Sequence, residues 1–561
     1  MNDSAHKDDM TTTHSESHGR GGLPLNLAAV AVGLAILAGL VLIGCGDRPA
    51  IWDTPVGAAR AFALSDAVAI SDPGAERVVL LTTDDHRAAT LSSVPIQRGV
   101  RAVAVAPDRS KLFVVSDGDA GVVPPAGRAA QSPALEIVTR DPATRTSYPL
   151  SEALAGLALD PRGQWAVLFA DDSSQSLVRN PNELLLVDLT RPSAVGANAN
   201  PVAHTLRSFG GKPQRFTFTD ELELPGGPRR LLVVETEQDV ALIDLLHPSD
   251  PEITIQLTSG QDARQVHPAS VTVTNGDAGP NDARIAIRVD DNSLVVATLA
   301  PSATRDFSPT LNLTDVGGVP SDAAWVRTDA GVLALAALVP ARGKAVVIDP
   351  TTGLTVDVTL PAAYRRLSLV TSASSSSTSP VDVALLWNAT SGGVSFWELG
   401  RVAGQPYRSV EVVGSTSAVT SVQDVSGLHP ELKILGTSAA SFFLLDLKSR
   451  TSSPFVTSTS NVTILPSAIG DRAWAFVAGS NQLAAVDLQT LHPTDIPTER
   501  PITNLFEIAA ADAPAGVSAR SLVALHQTGT WGASIYDATA VEGADHHTNL
   551  NGILLEVTHA P

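Results

Sequence analysis

Val346-Val347-Ile348-Asp349 is one copy of a short apolar run that ends in an acidic residue, and this run decides the fold. Short runs of aliphatic and aromatic residues closed by a turn residue are typical of buried β-strands. The run returns at intervals of roughly fifty residues, and a fixed period of this length indicates a repeat architecture. The other copies are Leu185-Leu186-Val187-Asp188, Ala241-Leu242-Ile243-Asp244, Ser395-Phe396-Trp397-Glu398, Phe443-Leu444-Leu445-Asp446, Ala484-Ala485-Val486-Asp487 and Ser534-Ile535-Tyr536-Asp537.

Further apolar strands precede these copies, so a period contains a hairpin ahead of its acidic run. Trp165–Ala170 precedes the copy that ends at Asp188, and Leu157–Leu159 precedes Trp165–Ala170. The turn between these two strands is Asp160-Pro161-Arg162-Gly163, in which Pro fixes φ and Gly allows a positive φ. A short fourth strand follows in some periods, for example Thr355–Leu360. The sequence therefore predicts an all-β chain of four-stranded antiparallel modules.

Four-stranded antiparallel modules repeated at a fixed period build a β-propeller, in which each sheet packs on its neighbours around an axis. Val103-Ala-Val-Ala-Pro-Asp-Arg-Ser-Lys-Leu-Phe-Val-Val115 and Lys344-Ala-Val-Val-Ile-Asp-Pro-Thr-Thr-Gly353 resemble the YVTN-type repeats, which are relatives of the WD-repeat propellers. A few modules match these repeats closely, and the others match in pattern. The resemblance implies the β-propeller fold of that family.

The number of modules exceeds that of a common propeller. We count nine or ten, the first at Ala67–Ser93 with Asp72-Pro73-Gly74 between its first two strands, whereas most closed rings have at most eight blades. A propeller of seven or more blades is expected over 66–561. One large ring is favoured because no Pro- or Gly-rich linker divides the chain, and two rings are the alternative. We interpret the acid after each third strand as a turn residue that accepts backbone N–H groups.

The N-terminal segment carries a different signal. Cys45, the only cysteine, follows the apolar stretch Leu27–Gly44, and Leu42-Ile43-Gly44-Cys45-Gly46 resembles the lipobox of bacterial lipoproteins. The resemblance implies a signal peptide at 1–44, lipidation of Cys45 and a tether at 45–65. It places the domain in the cell envelope outside the cytoplasmic membrane, with the outer membrane as the default in a two-membrane cell. An uncleaved membrane-spanning helix is the alternative.

The composition narrows the classes of partner. The 561-residue chain has a formal net charge of −20, with 58 Asp and Glu against 38 Lys and Arg. Nucleic acid and anionic lipid surfaces require a basic protein surface, so both are excluded as partners, and the membrane is reached through the lipid anchor alone. One cysteine excludes a disulfide framework and a zinc ribbon. No cofactor is expected.

Acidic residues are concentrated between the second and third strands of the first five modules. In a propeller these connections share one face with the blade-to-blade loops, so half of that rim is expected to attract an unidentified basic protein or a cation. The alternative is that Asp is simply a frequent turn residue. Insertions at Gly118–Pro133 and Ser173–Pro181 mark the same rim, and long loops on rigid scaffolds often bind ligands. The candidate binding residues are Asp84, Asp85, Asp117, Asp119, Asp171, Asp172, Glu235, Glu237, Asp290 and Asp291.

The sequence lacks the common motifs of catalytic residues. The chain has no His-Glu-x-x-His, Gly-x-Ser-x-Gly or phosphate-binding Gly-Lys-Ser/Thr motif. Asp117–Gly121 and Asn275–Gly279 space oxygens as calcium loops do but lack the later acidic ligands, and Asp545-His546-His547 lacks a third metal ligand. We therefore interpret the protein as a non-enzymatic, lipid-anchored binding or scaffolding module. An envelope hydrolase is the alternative, because YVTN-like propellers resemble a lactonase family.

Overall fold

The computed structural model describes residues 59–171, 178–207, 211–257, 266–277, 279, 281–303, 305–327, 332–371, 382–390, 392–399, 407–411, 417–455, 462–510, 519–527, 530–539 and 547–555. Within these ranges the chain forms forty-two β-strands, three short 3-10 helices and no α-helix, which confirms the predicted all-β class. None of the described segments is a helix with the length and apolarity that crossing a bilayer requires. Cys45 and the apolar stretch before it lie outside the described residues.

Forty of the strands form ten four-stranded antiparallel sheets, which we number as blades 1 to 10 in chain order. In each blade the strands are hydrogen-bonded in the order in which they occur, and the first strands of several neighbouring blades approach one another, for example β19 and β23. The first strand is therefore the innermost. The remaining two strands form a hairpin between the first and second strands of blade 4.

The strands of blades 1 to 5 are β1 (Arg60–Ala63), β2 (Val68–Asp72), β3 (Arg77–Thr83), β4 (Ala89–Pro95); β5 (Val100–Val105), β6 (Lys111–Ser116), β7 (Ala134–Thr139), β8 (Thr144–Pro149); β9 (Gly156–Leu159), β10 (Trp165–Phe169), β11 (Glu183–Asp188), β12 (Val202–Thr205); β13 (Pro213–Phe218), the hairpin β14 (Leu222–Leu224) and β15 (Gly227–Arg229), β16 (Leu231–Thr236), β17 (Asp239–Asp244), β18 (Ile253–Gln256); β19 (Pro268–Asn275), β20 (Ala283–Val289), β21 (Ser293–Pro301) and β22 (Phe307–Asp315).

The strands of blades 6 to 10 are β23 (Asp322–Arg327), β24 (Leu333–Val339), β25 (Lys344–Ile348), β26 (Thr355–Thr359); β27 (Arg366–Thr371), β28 (Asp382–Trp387), β29 (Gly393–Glu398), β30 (Tyr407–Glu411); β31 (Val419–Asp424), β32 (Leu432–Thr437), β33 (Phe442–Asp446), β34 (Thr451–Pro454); β35 (Thr463–Pro466), β36 (Arg472–Phe476), β37 (Ser480–Asp487), β38 (Pro493–Ile502); β39 (Asn504–Ala509), β40 (Arg520–His526), β41 (Gly532–Asp537) and β42 (Thr548–Asn551). The 3-10 helices are Pro73–Ala75, Gly196–Asn198 and Pro340–Arg342.

Strands buried on both faces explain the unbroken apolar runs of the sequence. In β24, Leu335 and Ala337 pack against blade 5, whereas Ala336 and Leu338 pack against blade 7. Successive side chains of a strand point to opposite faces, so a strand between two neighbours must be apolar at every position. Each blade interior therefore supplies apolar surface to two interfaces.

Ten apolar clusters join the blades into a closed circuit. Nine lie between consecutive blades, and the tenth joins blade 10 to blade 1 through Val523 and Ile535 on one side and Ile70 on the other. Thr83 Oγ1 also donates to Ser521 Oγ across this last interface at 2.8 Å. The protein is a β-propeller of ten blades, the upper of the two predicted counts.

Of the seven acids that the sequence placed after third strands, Glu398 forms an ion pair with Arg450 at 2.8 Å, and the other six close turns, which confirms the interpretation for these six. In each case the backbone N–H two residues further along the chain donates to the carboxylate, at 2.8–3.0 Å. Asp and Asn commonly stabilise turns in this way. The residues are Asp188, Asp244, Asp349, Asp446, Asp487 and Asp537.

Blade 1 differs from the prediction in the assignment of its strands. Its innermost strand, β1, lies within the 45–65 stretch that the sequence assigned to the tether. The 3-10 turn at Pro73–Ala75 therefore joins the second strand to the third, not the first to the second. β1 escaped detection because Arg60-Ala61-Phe62-Ala63 is too short to show a strand period.

Candidate functional site: the top face of the ring

Antiparallel order brings the second-to-third-strand connections and the blade-to-blade connections to the same end of the sheets, which we call the top face. The acidic candidates of blades 2 to 5 lie there, except Asp172, which is outside the described residues. Asp84 and Asp85 follow the third strand of blade 1 and lie at the opposite, bottom face, so the sequence placed them wrongly. Asp84 closes a turn by accepting the N–H groups of His86 and Ala88 at 2.9 and 2.7 Å.

Arginine side chains neutralise both acids of blade 2. Asp119 accepts hydrogen bonds from Arg98 Nε at 3.0 Å and Nη2 at 2.6 Å, and from the N–H of Gln131 at 2.8 Å. The Arg98 hydrogen bond and the Gln131 N–H hold the pKa of Asp119 below its ordinary value. Asp117 is buried and forms an ion pair with Arg101 on β5. Paired carboxylates of this kind fix a loop in position.

The insertion of blade 2, residues 117–133, is held to the ring by these contacts. The backbone N–H of Arg98 also donates to Gln131 Oε1 at 2.8 Å, so one arginine holds both ends of the insertion. At the tip, Val122 is 64% and Val123 is 90% exposed. Adjacent apolar side chains on a fixed, exposed loop are the kind of surface that a protein interface buries.

The acids of blade 4 divide into one buried and one exposed group. Arg215 Nη1 on β13 donates to the buried Glu235 Oε2 at 3.3 Å. Burial raises the pKa of Glu235, and the charges of Arg215 and Arg288 oppose that rise. Glu237 is exposed in the loop that follows β16.

The acids of blades 3 and 5 lie in connections of the top face. Asp290 accepts the N–H of His267 at 2.9 Å, and Asp291 accepts the N–H of Ser293 at 2.7 Å. Asp291 is therefore a turn residue, whereas the contact with His267 links the exposed Asp290 to the connection that precedes β19. Asp171 is half-buried at the start of the blade 3 insertion.

The sequence named these acids and missed their arginine partners. Arg101 and Arg215 lie near the start of the first strand of their blades, and their acids lie at the end of the second strand. An antiparallel hairpin places the start of one strand beside the end of the next, so the hairpin register contained the signal. Because Asp117, Asp119 and Glu235 each face an arginine, the rim carries less free negative charge than its composition implies.

The stretches that the sequence marked as possible metal sites lie partly within the described residues. There, no set of three or more His, Cys, Asp or Glu side chains is placed to hold a metal ion. In the second calcium-like stretch, Asp277 pairs with Arg327 at 2.5 Å. His547 stacks on Tyr536 with 5.1 Å between ring centroids, while Asp545 and His546 lie outside the described residues.

A serine–histidine contact occurs in blade 10, inside the fold. His526 Nε2 lies 2.9 Å from Ser534 Oγ, and His526 Nδ1 lies 2.9 Å from the carbonyl oxygen of Pro501. Both side chains are buried, and burial lowers the pKa of His526. Since a substrate cannot reach the hydroxyl, the contact satisfies buried polar groups of the blade.

Comparison with known proteins gives no family. No protein-family model and no curated protein matches the chain. Among solved structures, dihydro-heme d1 dehydrogenase NirN in complex with DHE is 14% identical, covers 71% of this chain and 75% of its own, and has a TM-score of 0.38. Sqt1 of Saccharomyces cerevisiae is 14% identical over 67% of this chain and 93% of its own, with a TM-score of 0.39. BBS1N in complex with ARL6DN is 12% identical over 62% and 92%, with a TM-score of 0.33.

These similarities carry no argument about function at such TM-scores and identities. The class of the protein, a ten-bladed β-propeller, rests on its own sheets and on the apolar clusters between them.

Proposed function

We propose that this protein is a non-enzymatic binding or scaffolding module of the bacterial cell envelope, attached by a lipid on Cys45, and that it docks a protein partner on the top face of its ring. The net charge of −20 favours a partner with a basic surface, because the long-range field attracts and orients it.

The fixed insertion of blade 2 carries this proposal. Arg98 holds Asp119 and Gln131 in place, so residues 117–133 present Val122 and Val123 without a large loss of loop entropy on binding. Apolar anchors surrounded by polar groups are the usual anatomy of a protein interface. The exposed Glu237 and Asp290 lie on the same face and would contact the rim of a basic partner.

A capture experiment tests the proposal. The soluble form that begins after Cys45 retains the whole described ring and is used to capture proteins from an envelope extract of the native cell. The double substitution Val122→Ser and Val123→Ser should abolish capture of the specific partner. The matched control, Val195→Ser with Leu246→Ser, removes two exposed apolar side chains from the bottom face and should leave capture unchanged. Equal capture by the two double variants would refute docking at the blade 2 insertion.

A further inference from the structure

Two arginine side chains converge on a single carbonyl oxygen at the inner edge of the top face. Arg215 Nη1 on β13 and Arg288 Nη2 on β20 both donate to the carbonyl oxygen of Ala269, the latter at 3.1 Å. Arg288 also donates to Ser270 Oγ and to the carbonyl oxygen of Pro320, each at 3.0 Å. Two donor nitrogens that share one acceptor oxygen are separated by at most about twice the length of a hydrogen bond. The two guanidinium groups are therefore close neighbours.

A β-bulge creates this convergence. The register of β19 against β20 shifts between Pro268 and Ser270, so Ala269 is left out of the ladder and its carbonyl oxygen is free to accept side-chain donors. The same irregularity occurs in blade 4 between Pro213 and Arg215. Bulges re-aim side chains at functional rims of sheets. Here they direct arginines of adjacent blades toward one point.

A third arginine completes the group. Arg366 is the first residue of β27, the innermost strand of blade 7. Its neighbours Arg365 and Leu367 bond to Ser321 and Asp322, directly after the Pro320 carbonyl that accepts from Arg288. The positive charge of Arg366 acts on Arg288, as does that of Arg215. Arg366 is exposed, and its side chain forms no hydrogen bond or ion pair with any described residue. We call Arg215, Arg288 and Arg366 the arginine triad.

The carboxyl groups nearby do not balance the triad. Glu235 is buried, and Asp322 already accepts the N–H groups of Leu367 at 2.9 Å and Ala323 at 3.0 Å. Two carboxyl groups and two other guanidinium groups thus act on Arg288, and burial shifts one of these carboxyl groups, Glu235, toward its neutral form. Burial and the two other arginines also lower the pKa of Arg288. A partly buried excess of positive charge is costly unless an anion joins it.

The triad also has donors available for a ligand. The side chain of Arg215 is 55% exposed, and Arg366 is exposed, so both present N–H groups to solvent at the top face. Planar guanidinium forks match the geometry of carboxylate and phosphate oxygens. We infer that the arginine triad binds an oxyanion, the carboxylate or phosphate group of a small ligand, at the inner edge of the top face between blades 4 and 7.

Calorimetric titration tests this inference. The soluble form that begins after Cys45 is titrated with inorganic phosphate and, separately, with succinate, at constant ionic strength with sodium chloride as the reference salt. One saturable site is expected for at least one probe. The probe that binds more tightly shows whether the site prefers a phosphate or a carboxylate group. Arg366→Gln should weaken that site about tenfold or more, since it removes a charged donor with no described partner in the fold. Arg215→Gln should weaken it similarly.

The control variant is Arg60→Gln. Arg60 is exposed at the start of the innermost strand of blade 1, so this variant removes the same charge from the same strand position elsewhere on the ring. Binding should not change. No saturable site for either probe, or equal weakening by Arg366→Gln and Arg60→Gln, would overturn the inference. This test is independent of partner docking at the blade 2 insertion. The Val122→Ser, Val123→Ser variant should bind the probe with the same affinity as the unmodified protein.

Discussion

Single charged residues in this ring link segments that are distant in sequence. Asp160, in the turn between β9 and β10, is fully buried and accepts hydrogen bonds from Arg230 Nη2 at 2.6 Å and Nη1 at 2.8 Å. Arg230 immediately precedes β16, so the contact joins blade 3 to blade 4. Removal of one partner from a buried pair leaves the other charge without compensation. Asp160 is therefore a structural link, not a ligand-binding acid.

Replacement of Asp160 should be costly. Asp160→Ala is expected to lower the free energy of unfolding by about 3–5 kcal/mol, because the largely buried side chain of Arg230, which is 12% exposed, loses its counter-charge. Asp108→Ala is the matched control: Asp108 occupies the equivalent turn of blade 2, is exposed and accepts the N–H of Ser110 at 3.0 Å. It should cost about 1 kcal/mol or less. Urea denaturation followed by intrinsic fluorescence measures both, and equal losses would contradict the role of the pair.

Asp160 should also make the free energy of unfolding depend on pH in the acid range. Burial tends to raise the pKa of Asp160, but the hydrogen bonds from Arg230 and the N–H of Arg162 outweigh burial and hold the pKa below its ordinary value. Such a carboxylate stabilises the fold above its unfolded-state pKa of about 3.9, and this contribution is lost as pH falls through the folded-state pKa. Urea unfolding from about pH 5 downward should therefore show a steeper loss for the unmodified protein than for Asp160→Asn. Parallel curves would disagree with the assignment.

In the proposed function, cellular location depends on Cys45. If it is acylated, the unmodified protein should incorporate radiolabelled palmitate and fractionate with membranes, and Cys45→Ala should do neither after export. Ser65→Ala, at an exposed position ahead of β2, is a control that should keep both properties. A Cys45→Ala protein that stays firmly in the membrane fraction would support the alternative of an uncleaved membrane-spanning helix.

At the scale of the strand, burial on two faces is the property that defines a blade. Leu335 in β24 is fully buried, whereas Leu354, just before β26, is 70% exposed. Leu335→Ala should lower the free energy of unfolding by about 2–5 kcal/mol, because it removes packing and leaves a cavity. Leu354→Ala should change it by about 0.5 kcal/mol or less. Thermal or urea unfolding of the two variants gives the comparison, and similar effects would argue against two-faced packing of β24.

The strands were predictable where burial on both faces produces an unbroken apolar run in the sequence. Val346-Val347-Ile348-Asp349 identifies β25, because an apolar strand that ends in a turn-forming acid is a local pattern. β1 was missed because it has four residues and one of them is the exposed Arg60. Because β1 was missed, each following strand of blade 1 was assigned one place too early. Asp84 and Asp85 were therefore predicted to lie on the wrong face.

The partners of the acids were less accessible to sequence reasoning. Arg101 and Asp117 belong to one hairpin, so its register would have paired them. Arg230 and Asp160 belong to different blades, and the packing of one sheet on the next brings them together. The convergence of Arg215 and Arg288 depends on a bulge at Ala269, for which the sequence contains no distinct signal.

At the scale of the whole molecule, stability depends on the closure of the circuit. Each blade has two apolar faces, so an open row of ten would expose one face of blade 1 and one face of blade 10. In the ring, Ile70 and Leu81 of blade 1 pack with Val523 and Ile535 of blade 10. The repeat period predicted the number of blades within one, but the meeting of the first and last blades follows from three-dimensional packing.

Oxidative cross-linking between blade 10 and blade 1 measures the closure of the ring most directly. Thr83 Oγ1 and Ser521 Oγ are 2.8 Å apart, a separation compatible with the geometry of a disulfide between cysteines at these positions. The soluble form that begins after Cys45 contains no other cysteine, so Thr83→Cys with Ser521→Cys should form an intramolecular bond on mild oxidation, seen as faster migration on a non-reducing gel. Thr83→Cys with Ser395→Cys, a buried position in blade 7, should not. Failure of the first pair to cross-link, or equal cross-linking of both pairs, would contradict a ring that closes between blades 10 and 1.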